Sequence, residues 1–147
     1  VWGNHSPTMV PDVGNARIGG RPATEVIGDD AWLEGEFLTT VQQRGKAVID
    51  ARGASSAASA ANALVDHMAT WCGGRATAPG DWASMAVASD GSYGVPEGLV
   101  SGFPVTTDGA GTYRIVEGLE LSPVTRAGLD RTVAELVSER DAVAHLL

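Results

Sequence analysis

Near neutral pH, histidine is the side chain that changes charge without a large shift of its ordinary pKa, which makes it the natural carrier of protons in a site. Of the three histidines in this chain, His5 has the most suggestive setting, Gly3-Asn4-His5-Ser6. An apolar entry, Val1-Trp2, precedes it, and a turn-rich run, Pro7-Thr8-Met9-Val10-Pro11-Asp12, follows. A ring on such a loop can sit at the edge of a site and exchange a proton with a bound molecule. The same residues, taken alone, also describe an ordinary surface histidine.

Other chemistry is sparse. His67 and His145 have no metal-binding partner at helical spacing and there is no His-Glu-x-x-His, so both are expected at the surface and no metal is expected. Cys72 is the single cysteine, which rules out an internal disulfide and a cysteine-cluster metal site, and it is expected to be an inert packed thiol beside Gly73. No Gly-x-Gly-x-x-Gly fingerprint occurs: Gly109-Ala110-Gly111 stops short, with Arg114 in the third glycine's place. Asn4-His5-Ser6 fits the Asn-x-Ser glycosylation pattern, but three residues match it often by chance.

The elements that must position these residues follow from local signals. Ala16 to Pro22 reads as a short strand, a Gly19-Gly20 turn and an exit. A long helix is expected from about Asp29 to Arg52, with acidic residues crowding its start, basic ones its end, and Gly53 as its stop. Trp32, Phe37, Val41, Val48 and Ile49 form its apolar stripe. A second helix is expected from Ser55 or Ser56 to about Trp71, and its first half is nearly all serine and alanine. That run either packs against a neighbouring element or faces a ligand or partner. Trp82–Ser89, Leu99–Thr106 and Tyr113–Leu119 read as antiparallel strands, and Ser122-Pro123 opens a final helix. Leu129, Val133, Leu136, Val137, Val143 and Leu146 are its expected buried face. The order predicts one α+β domain, with long helices packed on a small twisted antiparallel sheet.

Composition narrows the function classes. The chain has 147 residues, 44% of them apolar, enough for one folded core. A net charge of -8, with Lys46 the only lysine, argues against nucleic acid and against an anionic membrane surface. No apolar run is long enough to span a bilayer. The chain opens on Val1 rather than Met, so a piece of a longer protein is expected.

Three blocks together carry a resemblance: Val1-Trp2-Gly3-Asn4-His5-Ser6 with Thr8, Pro11 and Asp12; Arg52-Gly53-Ala54-Ser55-Ser56-Ala57-Ala58-Ser59-Ala60-Ala61; and Ser89-Asp90-Gly91-Ser92-Tyr93-Gly94-Val95-Pro96. Over its whole length the chain resembles the C-terminal catalytic domain of malate dehydrogenases, of the cytosolic-type branch of the lactate/malate dehydrogenase superfamily. It departs at Met9-Val10, where close relatives carry Gln-Tyr. The resemblance implies NAD-dependent interconversion of malate and oxaloacetate, a place in the tricarboxylic acid cycle, a cytoplasmic location and a homodimer.

It also implies roles. His5 would take the hydroxyl proton as hydride leaves malate, and return it in the reverse direction. Ser55 would lie near substrate or nicotinamide; from its position alone it is equally a plain helix cap. The stretch Asp29–Trp71 would contribute to the dimer interface. An upstream half, absent here, would hold the dinucleotide, an aspartate that orients His5 and arginines that clamp the substrate carboxylates. The isolated chain is therefore expected to be inactive. Two alternatives stand beside this reading: a lactate dehydrogenase, whose histidine motif usually reads Gly-Glu-His-Gly, and a non-catalytic dimerisation domain.

Overall fold

The structure, a computed structural model, describes residues 1–146. Its N-terminal segment pairs with itself, an antiparallel bridge joining Trp2 to Val10. Next come β1 (Arg17–Ile18) and β2 (Arg21–Pro22), a hairpin closed by Gly19 and Gly20, both at positive φ as a two-residue turn requires. A single helical turn, α1 (Ala23–Ile27), follows; the sequence had given no signal of it.

The expected long helix forms in three joined parts: α2 (Asp30–Trp32), a π-helical turn (Leu33–Phe37) and α3 (Leu38–Arg52). Asp29 caps it, its carboxylate accepting from the Trp32 amide at 2.9 Å, and Gly53 ends it at φ 74. The predicted stripe is not its anchor. Leu33 is the buried residue; of the stripe, Phe37, Val41 and Val48 are half-buried, whereas Trp32 and Ile49 lie exposed. The next helix, α4 (Ala58–Trp71), also buries no residue; Leu64 and Val65 are 61% and 68% exposed. Its start is three residues later than Ser55, which corrects the reading of that serine as a cap. Ala57 occupies the cap position and offers no side-chain oxygen.

The core is built by the second half together with Trp2 and Val10. β3 (Ala83–Ala88), β4 (Val100–Thr107) and β5 (Tyr113–Ile115) form an antiparallel sheet in that order, with Met85 opposite Phe103 and Val105 opposite Ile115. β5 stops four residues short of its expected end. α5 (Pro123–Ala142) begins as predicted, with the Ser122 hydroxyl accepting from the Thr125 amide at 3.1 Å and Pro123 in the first turn. Leu129 and Leu136 join Trp2, Val10, Met85, Val87, Val95, Phe103 and Val105 in one core. Full burial of a side chain such as Phe103 or Leu129 contributes about 1.5–3 kcal/mol. The fold class is as expected, with α5 the long helix that closes the core. Val143 and Leu146, expected on the buried face of α5, are exposed because the helix ends at Ala142. Cys72 is exposed rather than packed.

The loop after β3 explains one motif of the sequence. Tyr93 sits at φ 56, a conformation that side chains rarely adopt. Its ring packs edge-on against Trp2 at 4.6 Å, its hydroxyl donates to the Val116 carbonyl at 2.5 Å, and Arg126 donates to its carbonyl at 2.8 Å. These contacts hold the tyrosine in place and make it a buttress for Trp2, three residues before His5.

Candidate active site

The loop that carries His5 is closed at its base by two backbone hydrogen bonds. The Trp2 amide donates to Val10 at 2.8 Å, and the Val10 amide donates back at 3.1 Å. Both residues are buried, and the Trp2 indole donates to Asp12 at 3.0 Å. Gly3 then lies directly on β4, exchanging two hydrogen bonds with Gly102 at 3.1 and 2.8 Å. Gly102 has to be small, because a Cβ there would come within 3.0 Å of the Gly3 carbonyl. Val10, one of the two positions that depart from the family pattern, is a core residue against α5 rather than part of the chemistry.

The loop's other residues are tied to α5. The Asn4 amide donates to the Thr132 hydroxyl at 2.9 Å, and the Asn4 side-chain amide donates to Glu139 at 3.0 Å and Glu135 at 3.2 Å. Ser6 and Thr8 donate their hydroxyls to the same Glu135 oxygen at 2.5 and 2.6 Å. These donors hold the Glu135 carboxyl below the usual carboxylate range, Ser6 contributing most and Thr8 next, against a smaller opposing effect of burial. The Met9 carbonyl accepts from Gln42 of α3 at 2.9 Å.

His5 is the exception in this strip. It is exposed and makes no hydrogen bond among the described residues. Anchored neighbours therefore hold an imidazole whose nitrogens are free for another molecule. Ser55 makes no hydrogen bond to it among the described residues. That serine is exposed on the connection before α4, where its carbonyl accepts from Arg52 at 3.0 Å. The larger clefts lie elsewhere; the one of 640 Å³ lined by Asp90, Tyr113, Arg114 and Glu117 includes neither residue. His67 is half-buried with its ring 6.3 Å from that of Trp71, and His145 is exposed.

Thr132 and Glu135 are the partners of the His5 loop that the sequence did not single out. Both break the apolar pattern of α5 on its inward side, and that interruption was the only trace of a polar partner to come from the other end of the chain.

The model of the lactate/malate dehydrogenase α/β C-terminal domain family matches residues 1–147. A malate dehydrogenase from Naegleria fowleri is 43% identical with a TM-score of 0.89, over 99% of this chain and 44% of that one. A lactate dehydrogenase from Trichomonas vaginalis, solved in complex with NADH and oxamate, is 31% identical with a TM-score of 0.85, over 98% of this chain and 44% of that one. A malate dehydrogenase from Salinibacter ruber is 27% identical with a TM-score of 0.80, over 99% and 45%. The chain thus spans less than half the length of the solved proteins it resembles.

Proposed function

This chain belongs to the lactate/malate dehydrogenase family, as the α/β C-terminal domain, and from that premise we propose that it is the substrate half of an NAD-dependent malate dehydrogenase in which His5 transfers the proton. The observation that carries the reading is the His5 loop. Residues on both sides of the histidine are fastened to α5 or β4, while the imidazole itself is exposed and unengaged.

Oxidation of malate takes a hydride from the carbinol carbon and a proton from its hydroxyl. The neutral imidazole of His5 accepts that proton. In the reverse direction the protonated ring donates it to the ketone oxygen of oxaloacetate, and its positive charge polarises the carbonyl beforehand. NAD, when bound, supplies the hydride acceptor. Two features support a dinucleotide cradle outside this chain: the sequence carries no glycine-rich fingerprint, and α4 begins without a capping side chain. We assign the cradle, the carboxylate-clamping arginines and the aspartate behind His5 to an upstream domain, which leaves the isolated chain inactive. Ser55 enters as a residue near substrate or nicotinamide on the strength of its motif. Malate is favoured over lactate by Gly3-Asn4-His5-Ser6 and by the 43% identity to a malate dehydrogenase. The exposed apolar residues Leu64 and Val65 of α4 support a homodimer that covers this face. We place the protein in the cytoplasm on the resemblance alone.

The test is His5→Asn in the full-length protein, with oxaloacetate reduction followed by loss of NADH absorbance. Turnover is expected to fall by roughly 10²- to 10⁴-fold. Near-wild-type turnover would remove His5 from the mechanism.

A further inference from the structure

We propose that Glu135 is a positioning residue for the proton-transfer histidine: its carboxylate, on α5, gathers side chains from both sides of His5 and fixes where the imidazole is presented. The proposal rests on the assignment of His5 made above. Glu135 is half-buried, 130 positions along the chain from the histidine, and one of its oxygens receives Ser6 at 2.5 Å, Thr8 at 2.6 Å and Asn4 at 3.2 Å. Asn4 and Ser6 are the immediate neighbours of His5, so the loop is pinned at both shoulders by one group.

The loop has few other means of holding its tip. Its base is fixed by Trp2 and Val10, and Gly3 by β4, but between Asn4 and Thr8 the ties to the rest of the fold run to Thr132, Glu135 and Glu139. The Ser6 hydroxyl also accepts the Thr8 amide at 3.0 Å, which makes a small turn whose orientation depends on the carboxylate it faces. An ionised carboxylate suits this place because it accepts several hydrogen bonds at once, and bonds to a charged acceptor are stronger than neutral ones. Without it, Ser6 would lose its tie to α5 while Asn4 and Thr8 kept only Thr132 and Glu139, and the distance of His5 from the substrate oxygen would be set less narrowly. Proton transfer is sensitive to that distance in a way that substrate binding is not, since the carboxylate clamps lie elsewhere.

The experiment compares Glu135→Ala, Glu135→Gln and His5→Asn in the full-length enzyme, measuring kcat and KM for oxaloacetate. Glu135→Ala is expected to lower kcat by about 10- to 100-fold while KM moves by less than about threefold. Glu135→Gln keeps an acceptor oxygen of the same shape, and kcat should recover to within about fivefold of the wild type. Should Glu135→Ala fail to fold, Ser6→Ala and Thr8→Val remove the same contacts from the loop side, and a kcat loss of about tenfold at constant KM supports the same role. A Glu135→Ala or Ser6→Ala kcat within about twofold of wild type, a KM that rises in step with the kcat loss, or a Gln variant as slow as the Ala would each overturn the proposal. If His5→Asn is inactive while Glu135→Ala is not, only the positioning role falls. If His5→Asn stays active, the assignment of the base falls with it.

Discussion

Gly3 is where the candidate site is least tolerant of change, and the consequence of adding one methyl group can be worked out. Its φ is 89, in the region where a Cβ meets the backbone, and an alanine there costs about 1–2 kcal/mol. The space is also taken. The new Cβ would collide with the Thr132 side chain, 2.8 Å from its Cβ and closer still to its methyl group. Overpacking of a close contact adds about 1–3 kcal/mol. Together Gly3→Ala should destabilise the fold by about 2–5 kcal/mol, a large part of the 5–15 kcal/mol that typically holds a domain together. The assay is urea unfolding of the full-length protein followed by tryptophan emission, set out as a double-mutant cycle with Thr132→Ala. That second change leaves the half-buried Asn4 amide without its acceptor and costs about 1 kcal/mol alone. It also removes the methyl and hydroxyl that the new alanine would strike. The double variant should therefore be more stable than the sum of the singles by at least about 1 kcal/mol. Additivity within about 0.5 kcal/mol, or a Gly3→Ala effect below about 1 kcal/mol, would refute the steric account.

Two further outcomes follow from the same geometry. The Glu135 carboxyl is held below its ordinary range, so its ionised form favours the folded state. That contribution is complete above the unfolded pKa of about 4.3 and is lost as pH falls through the lower folded value. The stability difference between wild type and Glu135→Gln should be constant above about pH 5 and shrink below it; a difference that grows on acidification would contradict the sign. On α4, Leu64→Glu with Val65→Glu should shift the full-length protein from dimer to monomer in sedimentation, and unchanged sedimentation would remove this face from the proposed interface.

What the sequence revealed depended on how local each signal was. Gly19-Gly20, Gly53 and Ser122-Pro123 act within four residues of themselves and marked their turn, stop and cap correctly, and the acidic cluster from Asp29 marked a helix start that Asp29 proves to cap. The start of α4 was misread because a run of serines and alanines carries no contrast between helix and approach; Ser55 looked like a cap although the helix begins at Ala58. The stripe of α3 misled for another reason. Apolar spacing shows that a face is apolar but not that this chain covers it: Phe37, Val41 and Val48 are half-buried, Trp32 and Ile49 exposed, and only Leu33, outside the stripe, is fully buried. Thr132 and Glu135 left only an interruption of the apolar pattern, because their meaning lies in partners 124 to 131 residues away.

Those partners change how the opening motif should be understood. Val-Trp-Gly-Asn-His-Ser-x-Thr looks, as a string, like a catalytic signature. In the fold almost every member serves adhesion: Trp2 fills the core, Gly3 permits contact with Gly102 and Thr132, and Asn4, Ser6 and Thr8 grip α5. α5 is shaped to receive them, with Gly128 small because a Cβ there would come within 2.7 Å of Val10. The polar and small residues on the inner side of that helix are thus a docking strip rather than an imperfect core. His5 is the member left out of the grip, and its exposure gains its meaning from that contrast. A surface histidine on a loose loop samples many positions. One whose neighbours are fastened on both sides is presented in few, and that restriction is what a proton-transfer group requires.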